Sequence, residues 1–274
     1  MKILITGSEG QLAKEFLNLS TSNFYFEDKK TFDIANYDQM KSYLKNKKIT
    51  HILNCAAFTD VENAQFSCEK ALKINAPNNL IKLCAEKKIK LIFFSTNYIF
   101  DGKKLFYEEN DFANPLNYYG YTKSVGEKLV IDNLYDYLII RTSWLFGNSN
   151  NNFVKKILNA SKHNKEIQVT TDEIASPTYC KDLAYFTLKL LNANSQGIYN
   201  ITNNNFCSRY LWAKHIFDKL KINIKILKTT QKNTNSKVLR PITSVLSNKK
   251  IENELNIQLP DWKTAINYYL KEMI

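Results

Sequence analysis

Residues 2–6 form a short apolar run that breaks on Gly7, and Gly10 follows three residues later. Leu12, Ala13, Phe16 and Leu17 then recur on one helical face. Strand, glycine turn and helix in that order make a phosphate cradle. Gly7 permits the tight turn, and Gly10 lets the backbone approach a pyrophosphate with no Cβ in the way. Such a motif is weak by itself, but the chain holds only seven glycines and two of them stand here beside the first strand.

The pattern continues as an alternation. Residues 23–27 (NFYFE) predict a second strand, 36–46 a helix, and 50–57 (THILNCAA) a buried strand ending in small residues. A long helix follows over 61–87, interrupted before Pro77 because the residue ahead of a proline avoids the α region. Residues 89–96 (IKLIFFST) are the most strand-like segment of the chain, 117–134 read as a helix and 135–141 as the next strand. Later, strand-like pieces at 166–170 and 197–202 alternate with helices near 151–162, 180–192 and 208–220. A last amphipathic helix starts after Asp261, its expected N-cap.

Strands alternating with helices predict an α/β fold, a Rossmann-type doubly wound parallel sheet with a smaller C-terminal substrate-binding lobe. The expected division is a dinucleotide-binding domain over 1–145 and a mainly substrate-binding lobe over 146–274, with a segment returning to the sheet. Ligands bind such sheets at the C-terminal ends of the strands. Gly7–Leu12, Asp33–Ile34, Ala56–Thr59 and Ser95–Tyr98 all fall there.

Composition narrows the function classes. The chain of 274 residues has no run approaching eighteen apolar residues and no basic start followed by an apolar stretch, so neither a membrane span nor a signal peptide is expected. Five cysteines without a CxxC are expected as buried thiols rather than a disulfide framework or zinc site, and the location expected is cytoplasmic. The net charge of +12 comes almost wholly from lysines, with arginine only at 141, 209 and 240. Base readout favours arginine, so the charge reads as a solvated surface and no nucleic-acid partner is expected.

Tyr119 and Lys123 stand four apart on a predicted helix and project from one face. A nearby ammonium would lower the phenol pKa and fit it for proton transfer near neutral pH. A hydroxyl at the end of the strand over 89–96, such as Thr96, could share a substrate oxygen with Tyr119. Cradle, hydroxyl, tyrosine and lysine form a hydride-transfer site. Arg240, placed before Pro241, suits either a diphosphate grip or a structural salt bridge. Trp144, after a strand end, suits a sugar or nicotinamide face, with core packing as the alternative. The three histidines are dispersed, the acidic residues at 101, 108, 109 and 111 match no metal loop and read as a solvated flap, and no metal site is expected.

These segments carry a resemblance. GSEGQLA at 7–13, NCAAFTDVENA at 54–64, STNYIFDG at 95–102, PLNYYGYTKSVGE at 115–127, RTSWLFG at 141–147, NNF at 151–153, ASPT at 175–178 and RPITSVL at 240–246 run in one order along most of the chain. In that order they resemble the extended short-chain dehydrogenase/reductases, and within them the dTDP-4-dehydrorhamnose reductase family. The resemblance implies reduction of the C4 keto group of a nucleotide-linked 4-keto-6-deoxy sugar by NADPH or NADH, in cell-surface polysaccharide biosynthesis. It implies that Gly7, Gly10, Gln11, Leu12, Asp33, Ile34, Ala56, Ala57, Phe58 and Thr59 line the cofactor. Tyr119 would be the proton donor, Lys123 would hold the nicotinamide ribose, and Thr96 would polarise the keto oxygen. Asn97 and Trp144 would contact the sugar, Arg240 stays a substrate-side candidate on its own reading, and a homodimer is left open. Three positions depart from the family pattern: Ala13 for a third glycine, Asn97 for an aspartate, and the 242–245 stretch. The last two leave open a reductase or epimerase of another nucleotide sugar, and a non-catalytic cofactor-binding subunit is a further alternative.

Overall fold

The computed structural model describes residues 1–20, 22–149 and 151–273. Its centre is a six-stranded sheet, parallel throughout, in the order 197–200, 137–142, β4, β3, β1, β2. Here β1 is Ile3–Thr6, β2 Phe24–Glu27, β3 His51–Asn54 and β4 Lys90–Thr96. Every residue of β1 and β4 is buried, as expected of strands covered on both faces.

Alternate residues of the strands feed two cores. Ile3 and Ile5 pack with Leu12 and Phe16 of α1 (Gln11–Asn18) and with Leu183 and Leu190 of the helix Cys180–Asn192. Leu4 and Ile52 face the other way, onto Met40 of α2 (Tyr37–Tyr43) and Leu80 and Leu83 of a later helix. The strand Gly197–Asn200 comes from the second half of the chain and pairs with Tyr137–Thr142, so the expected return to the sheet is present. A third core gathers Phe146, Trp212, Ile216, Trp262 and Tyr269 from the second half. Beside it the strands Glu166–Thr170 and Lys225–Thr229 pair in parallel.

One helix expectation needs correcting. The stretch 61–87 is three helices, α3 (Val61–Ala64), α4 (Cys68–Asn75) and α5 (Asn78–Lys87). The break before Pro77 is there, and a second falls at 65–67. Phe66 and Ser67 both donate to the Asn63 carbonyl, closing a short turn in place of helix. The Gln65 side chain meanwhile accepts from the Tyr118 backbone N–H at 3.2 Å, at the start of α6 (Tyr118–Asn133). Cys84, Cys180 and Cys207 are buried thiols as expected, whereas Cys68 is exposed. Among the described residues no helix is long and apolar enough to cross a membrane.

Candidate active site

The cradle is built by close approach. Gly7 has φ +63°, and a Cβ there would lie 2.9 Å from the Ala56 backbone. The Gly10 N–H donates to the Gly7 carbonyl at 2.9 Å and closes the turn ahead of α1. Thr6 and Asn54, at the matched ends of β1 and β3, are joined by a buried hydrogen bond of 2.7 Å. The Ala56 N–H donates in turn to the Thr6 hydroxyl at 3.3 Å, which fixes the small-residue segment beside the glycine turn. Asn75 grips both polar groups of the Phe58 backbone and also donates to the Thr122 hydroxyl of α6, while Ala57 and Thr59 stay exposed.

Two expected cofactor residues can act only through part of themselves. Ile34 is 4% exposed, its side chain in the core with Met40, so only its backbone is left for a ligand. The Asp33 carboxylate accepts from the Ala35 N–H at 3.0 Å and lies 3.9 Å from the Lys29 ammonium. Leu12 is likewise a core residue, but its neighbour Gln11 keeps a buried side-chain oxygen without a partner. Ser95 and Thr142, at the ends of adjacent strands, have buried hydroxyls in the same condition. Orphaned polar atoms beside a turn that a Cβ would fill fit a dinucleotide along these strand ends.

Tyr119 and Lys123 stand on successive turns of α6, whose first turn is capped by Asn117 accepting from the Gly120 N–H at 2.9 Å. Gly120 lets this turn press against the Tyr98 carbonyl, where a Cβ would be at 2.0 Å. Thr96 ends β4, where its hydroxyl donates to Asn97 Oδ1 at 3.3 Å, accepts from the Tyr98 N–H at 3.2 Å and lies beside the Tyr119 phenol. The three residues named for chemistry from sequence are thus brought together at one strand end.

Their electrostatics differ from expectation. Burial pushes the Tyr119 phenol up to about 12, and the hydrogen bond from Thr96 only partly opposes it. Burial likewise pushes the Lys123 ammonium down to about 7, against the pull of Glu127. Lys123 is 3% exposed and its ammonium stands 4.2 Å from the Phe93 ring centroid. The expected lowering of the tyrosine by the lysine is therefore absent. Desolvation outweighs charge here, and it leaves the phenol protonated, the form a proton donor needs.

On the substrate side the expected residues are engaged by others. Asn97 is 2% exposed and donates to the Ser244 hydroxyl at 2.6 Å. That bond joins two of the three departures from the family pattern. Arg240 donates to Glu62 at 2.6 Å, to the Ser236 hydroxyl at 2.7 Å and to the Val238 carbonyl at 3.2 Å, an ion pair that ties the 236–240 segment to α3. Trp144 has φ +45° and an indole N–H that is buried without a partner. Its ring carries the Arg209 guanidinium, whose Cζ stands 3.7 Å from the ring centroid.

Arg209 and Glu173 escape the sequence reading as site residues, and Tyr98 enters it only as the end of the 95–98 strand-end segment. Arg209 approaches Glu173 at 3.8 Å, and its charge acts on the buried Tyr98 phenol, which stands edge-on to Tyr119 at 6.2 Å. The signal that could have found Arg209 is the scarcity of arginine that singled out Arg240. Arg141, by contrast, is consumed by the buried Glu127 carboxylate and the Glu109 carbonyl. The acidic stretch expected as a solvated flap is a staple instead. Asp101 accepts from Tyr107 and Asn114, Asp111 pairs with Lys104, and Glu109 accepts from the Asn200 N–H at the sheet edge. No cluster able to hold a metal occurs among the described residues.

The family model for the RmlD substrate binding domain matches residues 1–274. The spore coat polysaccharide biosynthesis protein SpsK of Bacillus subtilis is 34% identical, covering 99% of this chain and 97% of its own. The dTDP-4-dehydrorhamnose reductase of Aggregatibacter actinomycetemcomitans is 32% identical, with 97% of each chain covered. A solved dTDP-4-dehydrorhamnose reductase from Bacillus anthracis, in complex with NADP, superposes with a TM-score of 0.95 at 32% identity, over 99% of this chain and 100% of that one. With a match along its whole length, and with glycine turn, Thr96, Tyr119 and Lys123 all at the C-terminal end of the sheet, the chain belongs to the dTDP-4-dehydrorhamnose reductase family of extended short-chain dehydrogenase/reductases.

Proposed function

We propose that this protein reduces the C4 keto group of a dTDP-linked 4-keto-6-deoxy sugar, turning dTDP-4-dehydro-L-rhamnose into dTDP-L-rhamnose for cell-surface polysaccharide. The observation that carries this reading is the convergence of Thr96 and Tyr119 at the end of β4, with Lys123 one turn along α6. The relatives named as reductases of this sugar, and the spore coat relative, support the substrate class and the polysaccharide role.

A bound NADPH or NADH supplies the hydride. The Tyr119 phenol, protonated across the neutral range, donates its proton to the oxygen of the reduced carbonyl. Thr96 holds the same oxygen through its hydroxyl and so places it against the phenol. Lys123 would donate to the hydroxyls of the cofactor ribose, and those bonds would favour its charged form and ease proton delivery to Tyr119. Gly7 and Gly10 would let the backbone approach the pyrophosphate, with the free N–H groups of the first turn of α1 toward it, and Gln11, Ser95 and Thr142 would offer their unpaired polar atoms along the cofactor.

On this reading residues 1–145 carry the cofactor and 146–274 mainly the substrate, with 197–200 lent to the sheet. The enzyme works in the cytoplasm, where its five free cysteines stay reduced. The test is NADPH and NADH oxidation, followed by absorbance, with dTDP-4-dehydrorhamnose beside UDP- and GDP-linked keto sugars. Turnover confined to the dTDP substrate is expected. Turnover of only another nucleotide sugar would overturn the substrate assignment, and no turnover with any would overturn the activity.

A further inference from the structure

Trp144 was expected to offer an aromatic face to a sugar, yet its ring is covered by a cation. The Arg209 guanidinium carbon stands 3.7 Å from the Trp144 ring centroid, and 4.9 and 5.6 Å from those of Phe153 and Trp212. Its charge partner is Glu173, at a long 3.8 Å, and the two side chains keep 17% and 11% exposure. The pair is therefore largely buried, with a small part of each side chain left at the surface. Arg141 and Arg240, in contrast, have short bonds to carboxylates at 2.8 and 2.6 Å. Glu173 is held from behind by the Thr170 hydroxyl at 3.1 Å, and its own carbonyl accepts from the Arg209 N–H. Position ties this wall to the chemistry. Trp144 comes two residues after Thr142, which pairs with Thr96, and the charge of Arg209 is felt at the Tyr98 phenol, whose ring stands edge-on to Tyr119 at 6.2 Å.

From this geometry we infer that the Glu173–Arg209 pair is a specificity element that reads adjacent hydroxyls of the hexose, a role that rests on the function proposed above. A guanidinium fork donates and a carboxylate accepts, so the two side by side match a vicinal diol, in which each hydroxyl is donor and acceptor. A diphosphate fits less well, because the Glu173 carboxylate would repel it. The stack on Trp144, Phe153 and Trp212 holds the fork at fixed orientation, so little side-chain freedom is lost when a sugar docks. The site then prefers the sugar by polar contacts where a bare indole would offer only stacking.

The test is calorimetric titration of the wild type, Arg209→Lys and Glu173→Gln with dTDP-L-rhamnose and, separately, with dTDP alone. Lysine keeps the charge but loses the fork, and glutamine keeps the shape but loses the charge. Each variant is expected to bind the sugar nucleotide about tenfold to a hundredfold more weakly, as for loss of a charged hydrogen bond. Affinity for dTDP should stay within about twofold of wild type. A general structural role would weaken both ligands together. Equal loss for both, or no loss for either, would overturn the inference. If the wild type instead prefers a UDP- or GDP-linked hexose, the substrate assignment fails, and the same comparison with that hexose and its bare diphosphate decides the role of the pair. If no sugar nucleotide binds more tightly than its bare diphosphate, the pair reads no hexose.

Discussion

Gly120→Ala probes the link between packing and chemistry at this site. The alanine Cβ would meet the Tyr98 carbonyl oxygen at 2.0 Å, the Tyr98 carbonyl carbon at 2.8 Å and Pro115 at 3.1 Å. Carbon and carbonyl oxygen approach to about 3.3 Å at closest in ordinary contacts. The first turn of α6 must then retreat from Tyr98 by roughly 1 Å, a shift of the size that costs about 100-fold in rate when it misplaces reacting groups. Tyr119 moves with that turn, while Thr96 stays with β4, so the gap between them opens. Overpacking adds a stability loss of about 1–3 kcal/mol. For a chain of this size that lowers Tm by roughly 2–12 °C. Steady-state kinetics and a thermal scan read both effects. The expected variant is folded, less stable, about 100-fold lower in kcat and little changed in cofactor affinity. Full kcat together with an unchanged Tm would refute the claim that this close approach sets the Thr96–Tyr119 geometry.

Other outcomes follow from single groups. Tyr119→Phe removes the proposed proton donor and should lower kcat by about 100- to 10,000-fold while cofactor still binds, measured by fluorescence titration; unchanged kcat would remove Tyr119 from the mechanism. Glu127→Gln leaves the Arg141 guanidinium buried without its charge partner, both side chains being 5% exposed. A loss of about 3–5 kcal/mol in denaturant unfolding is expected, and a loss below about 1 kcal/mol would contradict that role. Lys123, lowered to about 7 from an ordinary 10.5, is mostly neutral in the folded chain above pH 7 but protonated when unfolded. The unfolded state then binds more protons between those values, so this group makes stability rise with pH across that window and penalises the folded state below it. Lys123→Met should therefore gain most in Tm over wild type near pH 6 and progressively less toward pH 9; a constant difference would contradict the shift.

Much of the architecture was readable because the sheet follows from local pattern. Residues 3–6 and 90–96 are apolar enough to be buried on both faces, and glycine scarcity made the turn at 7–10 stand out. The helix break at 65–67 was not readable, because it depends on Gln65 meeting Tyr118 across 53 residues. Substrate-side contacts were hidden for the same reason. Asn97 meets Ser244 across 147 positions and Arg240 meets Glu62 across 178. The direction of the Tyr119 shift was misjudged because spacing reveals a neighbouring charge, whereas the depth of burial that outweighs it comes from tertiary packing.

The proposed reaction delivers a hydride to a sugar C4 and a proton from Tyr119 to its oxygen. Cofactor deuterated at the transferred position, incubated with the protein and dTDP-4-dehydrorhamnose, tests it most directly, with the product read by NMR. One deuterium is expected at C4 of dTDP-rhamnose, and none in the Tyr119→Phe reaction over the same time. A product carrying deuterium at another carbon, or product formed without deuterium, would contradict it.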